Sequence, residues 1–187
     1  NVLDNTEASD ALTWSFNSGS ESFDYLAAGE SLTLTYTIEV EDSEGTTGPQ
    51  SVVITVNGTN DAPVITDGPD SVGLTETDAG MTSTGTLTVR DIDRADTVTA
   101  AVDSVAVTGT GSASVPISLT NTTIESYLSV SPTAILDSTE TSATLTWDFD
   151  SGSEAFDFLA DGETLVLTYT VRATDDDGTP LSDTETV

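Results

Sequence analysis

The chain has no cysteine, no histidine and no lysine, and its only basic residues are Arg90, Arg94 and Arg172. Each absence removes a class of chemistry. Without cysteine there is no disulfide framework and no thiolate metal site. Without imidazole or thiol there is no Ser-His-Asp or Cys-His catalysis and no ordinary zinc site, so the chain is not expected to be an enzyme. No run of about 18 apolar residues and no basic-then-apolar leader occurs, so membrane insertion is not expected, and an export signal is expected elsewhere in a longer protein. Aromatic residues make up only 6% of the chain, too few for an extended stacking surface.

Acid is what the chain has in excess. Its 33 Asp and Glu residues give a formal charge of -30 and a pI near 4.1. Such a field repels phosphate backbones and anionic membrane surfaces, which argues against nucleic-acid and lipid partners. Divalent cations are its natural counter-ions.

The sequence also repeats itself. LDNTEASDALTWSFNSGSESFDYLAAGESLTLTYTIEVEDSEG, from Leu3 to Gly45, returns 133 residues later as LDSTETSATLTWDFDSGSEAFDFLADGETLVLTYTVRATDDDG, with 26 of 43 positions identical and no gap. A period of this length is that of a whole domain rather than of a solenoid turn, and it marks a tandem array. On this alignment residues 1–59 are the C-terminal part of one unit, 60–63 are a linker, and 64–187 are a second unit lacking its last strand. The chain thus carries two C-terminal halves and one N-terminal half.

Strict alternation dominates, as in Leu32, Leu34, Tyr36, Ile38 and Val40 and in their counterparts Leu165 to Ala173. Period-2 patterning predicts strands with one face in a core and one in water. Similar runs predict strands at Leu12–Phe16, Val52–Val56, Gly85–Val89, Val98–Val107, Val115–Leu119 and Leu145–Phe149. Gly, Asp, Asn and Pro punctuate them, for example over Gly45–Pro49 and Asp177–Pro180. Phe23–Ala28 and Phe156–Asp161 each suit a single helical turn. The fold class is all-β, an antiparallel immunoglobulin-like sandwich in tandem copies. The period exceeds the roughly 100 residues of a standard immunoglobulin-like unit, and the surplus is expected between Gly109 and Thr139. Trp14 and Trp147, with Phe16 and Phe149, fall on the core parity of their strands and are expected to be buried.

The segment VNGTNDAPVI, Val56 to Ile65, together with the LTW strand and LAAGESLTLTYTIEVED, resembles VCBS-type repeats and the cadherin-like immunoglobulin modules of large bacterial RTX adhesins. The resemblance implies a module exported to the cell surface by a type I system, binding calcium at its ends and linkers, in an array that extends an adhesin in cell adhesion and biofilm. It also implies that Asn60 and Asp61 in the linker, and Glu76 or Asp78 opening the next module, contribute ligands.

Calcium takes six to eight oxygen ligands at about 2.3 to 2.6 Å, so a site needs several carboxylates converging from loops. Two clusters in the sequence have this character. Asp91, Asp93 and Asp96 lie in RDIDRAD at the end of a predicted strand, without the glycine of an EF-hand loop. Asp175 and Asp177 lie in DDDG at the end of another, and its weaker counterpart is Asp42 and Glu44 in EDSEG. The expected function is that of a calcium-stabilised spacer contacting neighbouring repeats of the same polypeptide. A carbohydrate- or surface-binding module and a homophilic adhesion domain are the alternatives. Strand edges left open in residues 1–59 are expected to invite pairing with another copy.

Overall fold

A computed structural model describes residues 9–46 and 48–187; the start of the first repeat copy, residues 1–8, and Thr47 within the Gly45–Pro49 turn lie outside the described residues. The protein is all-β with antiparallel sheets. The first half-unit contributes β1 (Ser31–Ile38) and β2 (Gln50–Asn57), a two-stranded sheet in which Leu32 opposes Val56 and Tyr36 opposes Val52. After the linker come β3 (Val64–Thr66), β4 (Thr82–Arg90) and β5 (Val98–Thr108). A short 3-10 turn, Ser112–Ser114, and α1 (Asn121–Glu125) lead to β6 (Leu128–Ser131) and β7 (Ala134–Leu136). The second repeat copy then supplies β8 (Ser142–Asp150), β9 (Val166–Thr174) and β10 (Ser182–Thr186).

Residues 64–187 form two four-stranded sheets, ordered β10-β9-β5-β7 and β3-β4-β8-β6. Alternation decides what each strand buries. Leu87 and Val89 from β4, with Leu145, Trp147 and Phe149 from β8, meet Val98, Tyr169, Val171 and Ala173 of the other sheet in one shared core. The surplus segment closes this core: α1 inserts the fully buried Ile124, and its carbonyl accepts a 2.8 Å hydrogen bond from the Tyr169 hydroxyl.

Local structure repeats with the sequence. Phe23 and Phe156 both adopt left-handed backbone, with φ of 64° and 63°. Glu21 Oε1 accepts from the Phe23 N–H at 3.1 Å, and Glu154 Oε1 from the Phe156 N–H at 2.9 Å. Glu30 and Glu163 cap the Ala27 and Ala160 N–H groups in the same way, at 3.2 and 3.0 Å. These left-handed residues make turns of the two segments where single helical turns were expected, because a helix requires a run of negative φ.

Three other expectations are altered. Leu12–Phe16 forms no strand, since β8, its counterpart, is held between β4 and β6, and no equivalent pair flanks residues 9–17 among the described residues. Val115–Leu119 is a turn closed by the Leu119 N–H on the Pro116 carbonyl at 2.9 Å; Pro116 has no N–H to give a ladder. The last strand of the second unit, expected to be lacking, is present in part, because Ser182–Thr186 already pairs with Thr170–Thr174.

Gly85 opposes Trp147 across β4 and β8, where an added Cβ would lie 2.5 Å from the indole carbons Cε2 and Cζ2 and from Asp70 Oδ2. The indole fills the space a side chain would occupy, and its Nε1 donates to Asp70 Oδ2 at 2.9 Å. Gly85→Ala is therefore expected to destabilise the chain by about 1–3 kcal/mol, as overpacking does, despite alanine's lower chain entropy. Urea unfolding checks this; an unchanged midpoint would show that the indole yields freely.

Candidate metal centre

Three segments converge at one end of the second unit. The loop Asp91–Thr97 carries the chain from β4 in one sheet to β5 in the other, and the loop Asp175–Leu181 joins β9 to β10. The linker Asn60–Pro63 arrives beside them, because Val64 at the start of β3 pairs with Arg90 at the end of β4. Strand ends thus bring the acidic loops together, and the linker runs across them.

Asp91, Asp93, Asp96 and Asp175 are all buried here. Their contacts interlock. Asp91 Oδ1 accepts from the Asp93 N–H at 3.1 Å, and Asp93 Oδ2 accepts from the Asp61 N–H at 2.6 Å. Asp175 accepts from the Leu181 N–H at 3.0 and 3.1 Å and from Asn60 Nδ2 at 3.2 Å, while the same Asn60 amide donates to the Thr179 carbonyl at 3.2 Å.

Five oxygens of this group are buried without any hydrogen-bond partner: Asn60 Oδ1, Asp91 Oδ2, Asp93 Oδ1, Asp96 Oδ2 and Asp177 Oδ2. Buried polar atoms are nearly always paired, so five orphans in one place are a strong departure. Carboxylate oxygens of Asp91, Asp96 and Asp175 lie within 4.8 Å of one another, and this cluster of three buried aspartates could hold a metal ion. Among the described residues no basic side chain forms an ion pair with these carboxylates. The guanidinium of Arg94 lies over the Tyr25 ring at 5.9 Å, and the one ion pair among the described residues joins exposed Arg172 to Asp103 at 2.8 Å.

Burial pushes the Asp96 carboxyl up to about 7, with the charges of Asp177, Asp93, Asp91 and Asp175 adding to it. Burial likewise raises Asp91 to about 6, and it raises Asp93 against the Asp61 N–H, which opposes the shift. Asp176, outside the cluster, goes the other way because the Thr97 N–H favours its charged form. Like charges crowded in a dry site disfavour ionisation, and a bound cation reverses that preference. The donor set consists of oxygen alone, which suits hard cations rather than zinc or copper.

The sequence-predicted residues divide clearly. Asp91, Asp93, Asp96, Asp175, Asp177 and Asn60 come together, and Asp61 joins them through its backbone N–H with its side chain exposed. Glu76 and Asp78 do not join: they are exposed and precede the Thr82 end of β4, at the opposite end of the sandwich, where Met81 pairs with Ser151. Asp42 and Glu44 are exposed in the β1–β2 loop, where Asp42 Oδ1 accepts from the Glu44 and Thr46 N–H groups at 2.9 Å each. Asp42 occupies the place of Asp175 in the repeat, but no acidic β4–β5 loop stands opposite it among the described residues. The Thr179 carbonyl, which fixes Asn60, was not anticipated, since a backbone acceptor carries no residue-type signal.

In the metal-free folded chain Asp91 and Asp96 retain protons at pH values where the unfolded chain has released them. Their raised values therefore lower stability as pH rises from about 4 to about 7. With divalent cations chelated, the melting temperature is expected to fall between about pH 5 and pH 7.5, and an Asp91→Asn, Asp96→Asn double variant should show a flatter slope. An identical slope in the variant would assign the effect to the overall acidic charge instead.

No protein-family model, no curated protein and no solved structure matches this chain, so what the cluster does has to be read from its own geometry.

Proposed function

We propose that the chain is a calcium-stabilised spacer: immunoglobulin-like sandwich units of a tandem array that extends a secreted bacterial surface adhesin away from the cell. One observation carries the reading. Five unpartnered oxygens meet where the linker crosses the two acidic loops, so an ion held there would tie linker to module. Asp91, Asp93, Asp96, Asp175, Asp177 and Asn60 would hold calcium, whose preference for several carboxylate and amide oxygens they match. The ion would supply the positive charge that the protein does not.

The role is structural rather than catalytic. A ligand bound only by the folded state stabilises it by about 2.7 kcal/mol when free ligand is 100-fold above its dissociation constant. Extracellular calcium would hold the module folded and its linker fixed, and a chain of net charge -30 would loosen where calcium is scarce. The exposed Trp14 favours the rival reading of a carbohydrate-binding module, but its repeat counterpart Trp147 is buried in the core of the second unit. A sugar platform shared by the copies is therefore not supported.

Thermal unfolding in calcium, in magnesium and in EDTA tests the proposal. Calcium should raise the melting temperature well above the other two conditions. Asp96→Asn should lose most of that rise while leaving the EDTA value unchanged or higher, because it removes a buried charge. A variant that retains the full calcium response would move the ion elsewhere, and indifference to EDTA in the parent chain would leave the spacer without its stiffening mechanism.

A further inference from the structure

The two copies of the repeated segment have the same local structure and opposite surroundings. Trp147, Phe149 and Tyr169 are 2%, 9% and 3% exposed, whereas their counterparts Trp14, Phe16 and Tyr36 are 56%, 37% and 48% exposed. The apolar layer is nevertheless already assembled in the first copy. The Phe16 and Tyr36 rings stand 6.4 Å apart and tilted, much as Phe149 and Tyr169 stand at 6.3 Å. Trp14, Phe16, Tyr36, Ile38, Val52 and Ile54 line one open cleft.

The second unit shows what covers such a face. Residues 64–135 place β5 along the edge of β9, with Val105 opposite Tyr169 and Val107 opposite Leu167. They flank β8 with β4 on one side and β6 on the other, so that Gly85 and Val130 both oppose Trp147. Tyr127 meets the Phe149 ring edge-on at 6.2 Å, and Ile124 receives the Tyr169 hydroxyl. Among the described residues β1 of the first copy pairs only with β2, leaving unpaired the edge that β9 gives to β5, and residues 9–17 have no strand on either side.

We propose that the exposed face of residues 9–59 is an acceptor for a polypeptide segment with the pattern of residues 64–135, supplied ahead of the face in the order seen in the second unit. Such a segment puts one strand on the open edge of β1, with the Val105-type position opposite Tyr36, and two strands around residues 9–17. It turns Leu12–Phe16 into the strand its alternation encodes. A second copy of the 9–59 face fits less well, since it offers one free edge where three new strand pairings are needed. The acceptor is independent of the metal cluster, because none of the unpartnered oxygens lies within residues 9–59.

The test extends the full chain by fusing a second copy of residues 64–135 directly ahead of Leu3, reproducing the natural junction between residues 135 and 136. In the parent chain acrylamide should quench one of the two tryptophans readily. In the extended chain it should reach neither, residues 9–59 should resist limited proteolysis, and light scattering should give a monomer. A control extension whose fused segment carries Leu87→Asp and Val89→Asp should restore quenching and cleavage. Quenching and proteolysis unchanged by the intact extension would overturn the proposal. So would a parent chain that buries Trp14 by dimerising as concentration rises, which would make a second copy the occupant.

Discussion

Burying a carboxylate without a countercharge is among the most unfavourable things a folded chain can do, and this one does it four times within a single loop junction. The arrangement follows from the sheets. β4 and β9 end on the same side of the shared core that holds Leu87, Val89, Tyr169 and Val171, and each strand is followed at once by aspartates. The strand ends thus bring the acids together, and backbone N–H groups from Asp61, Asp93 and Leu181 satisfy only some of their oxygens. Three of these buried aspartates, Asp91, Asp96 and Asp175, could hold a metal ion. The chain has no lysine, and among the described residues no arginine forms an ion pair with these carboxylates, so a cation bound there would come from solution.

The same junction fixes the linker. Gly58 lies so close to the Leu26 and Ala27 carbonyls that a Cβ would stand 2.2 and 2.3 Å away, and its N–H donates to the Glu30 carbonyl at 3.0 Å. The backbone therefore leaves the first half-unit through a passage only glycine fits, and two residues later Asn60 is bonded to Asp175 and to the Thr179 carbonyl in the second. The Arg94 guanidinium rests over Tyr25 of the first half-unit, from the same loop that supplies Asp93 and Asp96. The acidic cluster, the linker and the contact between the two units thus share a few residues.

Much of the fold was legible because alternation and burial are the same fact in a two-sheet protein; β1, β2, β4, β5, β8 and β9 all lie where period-2 runs placed them. Leu12–Phe16 was not, although its sequence is that of β8, because a strand is made by its neighbours as much as by its residues. Trp14 failed as a buried residue for the same reason. Asp91, Asp93 and Asp175, clustered at strand ends in the sequence, come together in the fold, whereas Glu76 and Asp78, taken from a resemblance, are exposed and do not join them. The left-handed Phe23 and Phe156 left no signal, since bulky residues rarely adopt that backbone.

The most direct test of the central claim is anomalous diffraction from crystals of the full chain grown in calcium. The account predicts a peak enclosed by oxygens of Asp91, Asp93, Asp96, Asp175, Asp177 and Asn60, at calcium–oxygen distances of about 2.3 to 2.6 Å. A junction without a peak, its carboxyls protonated and hydrogen-bonded to one another or to water, would contradict it.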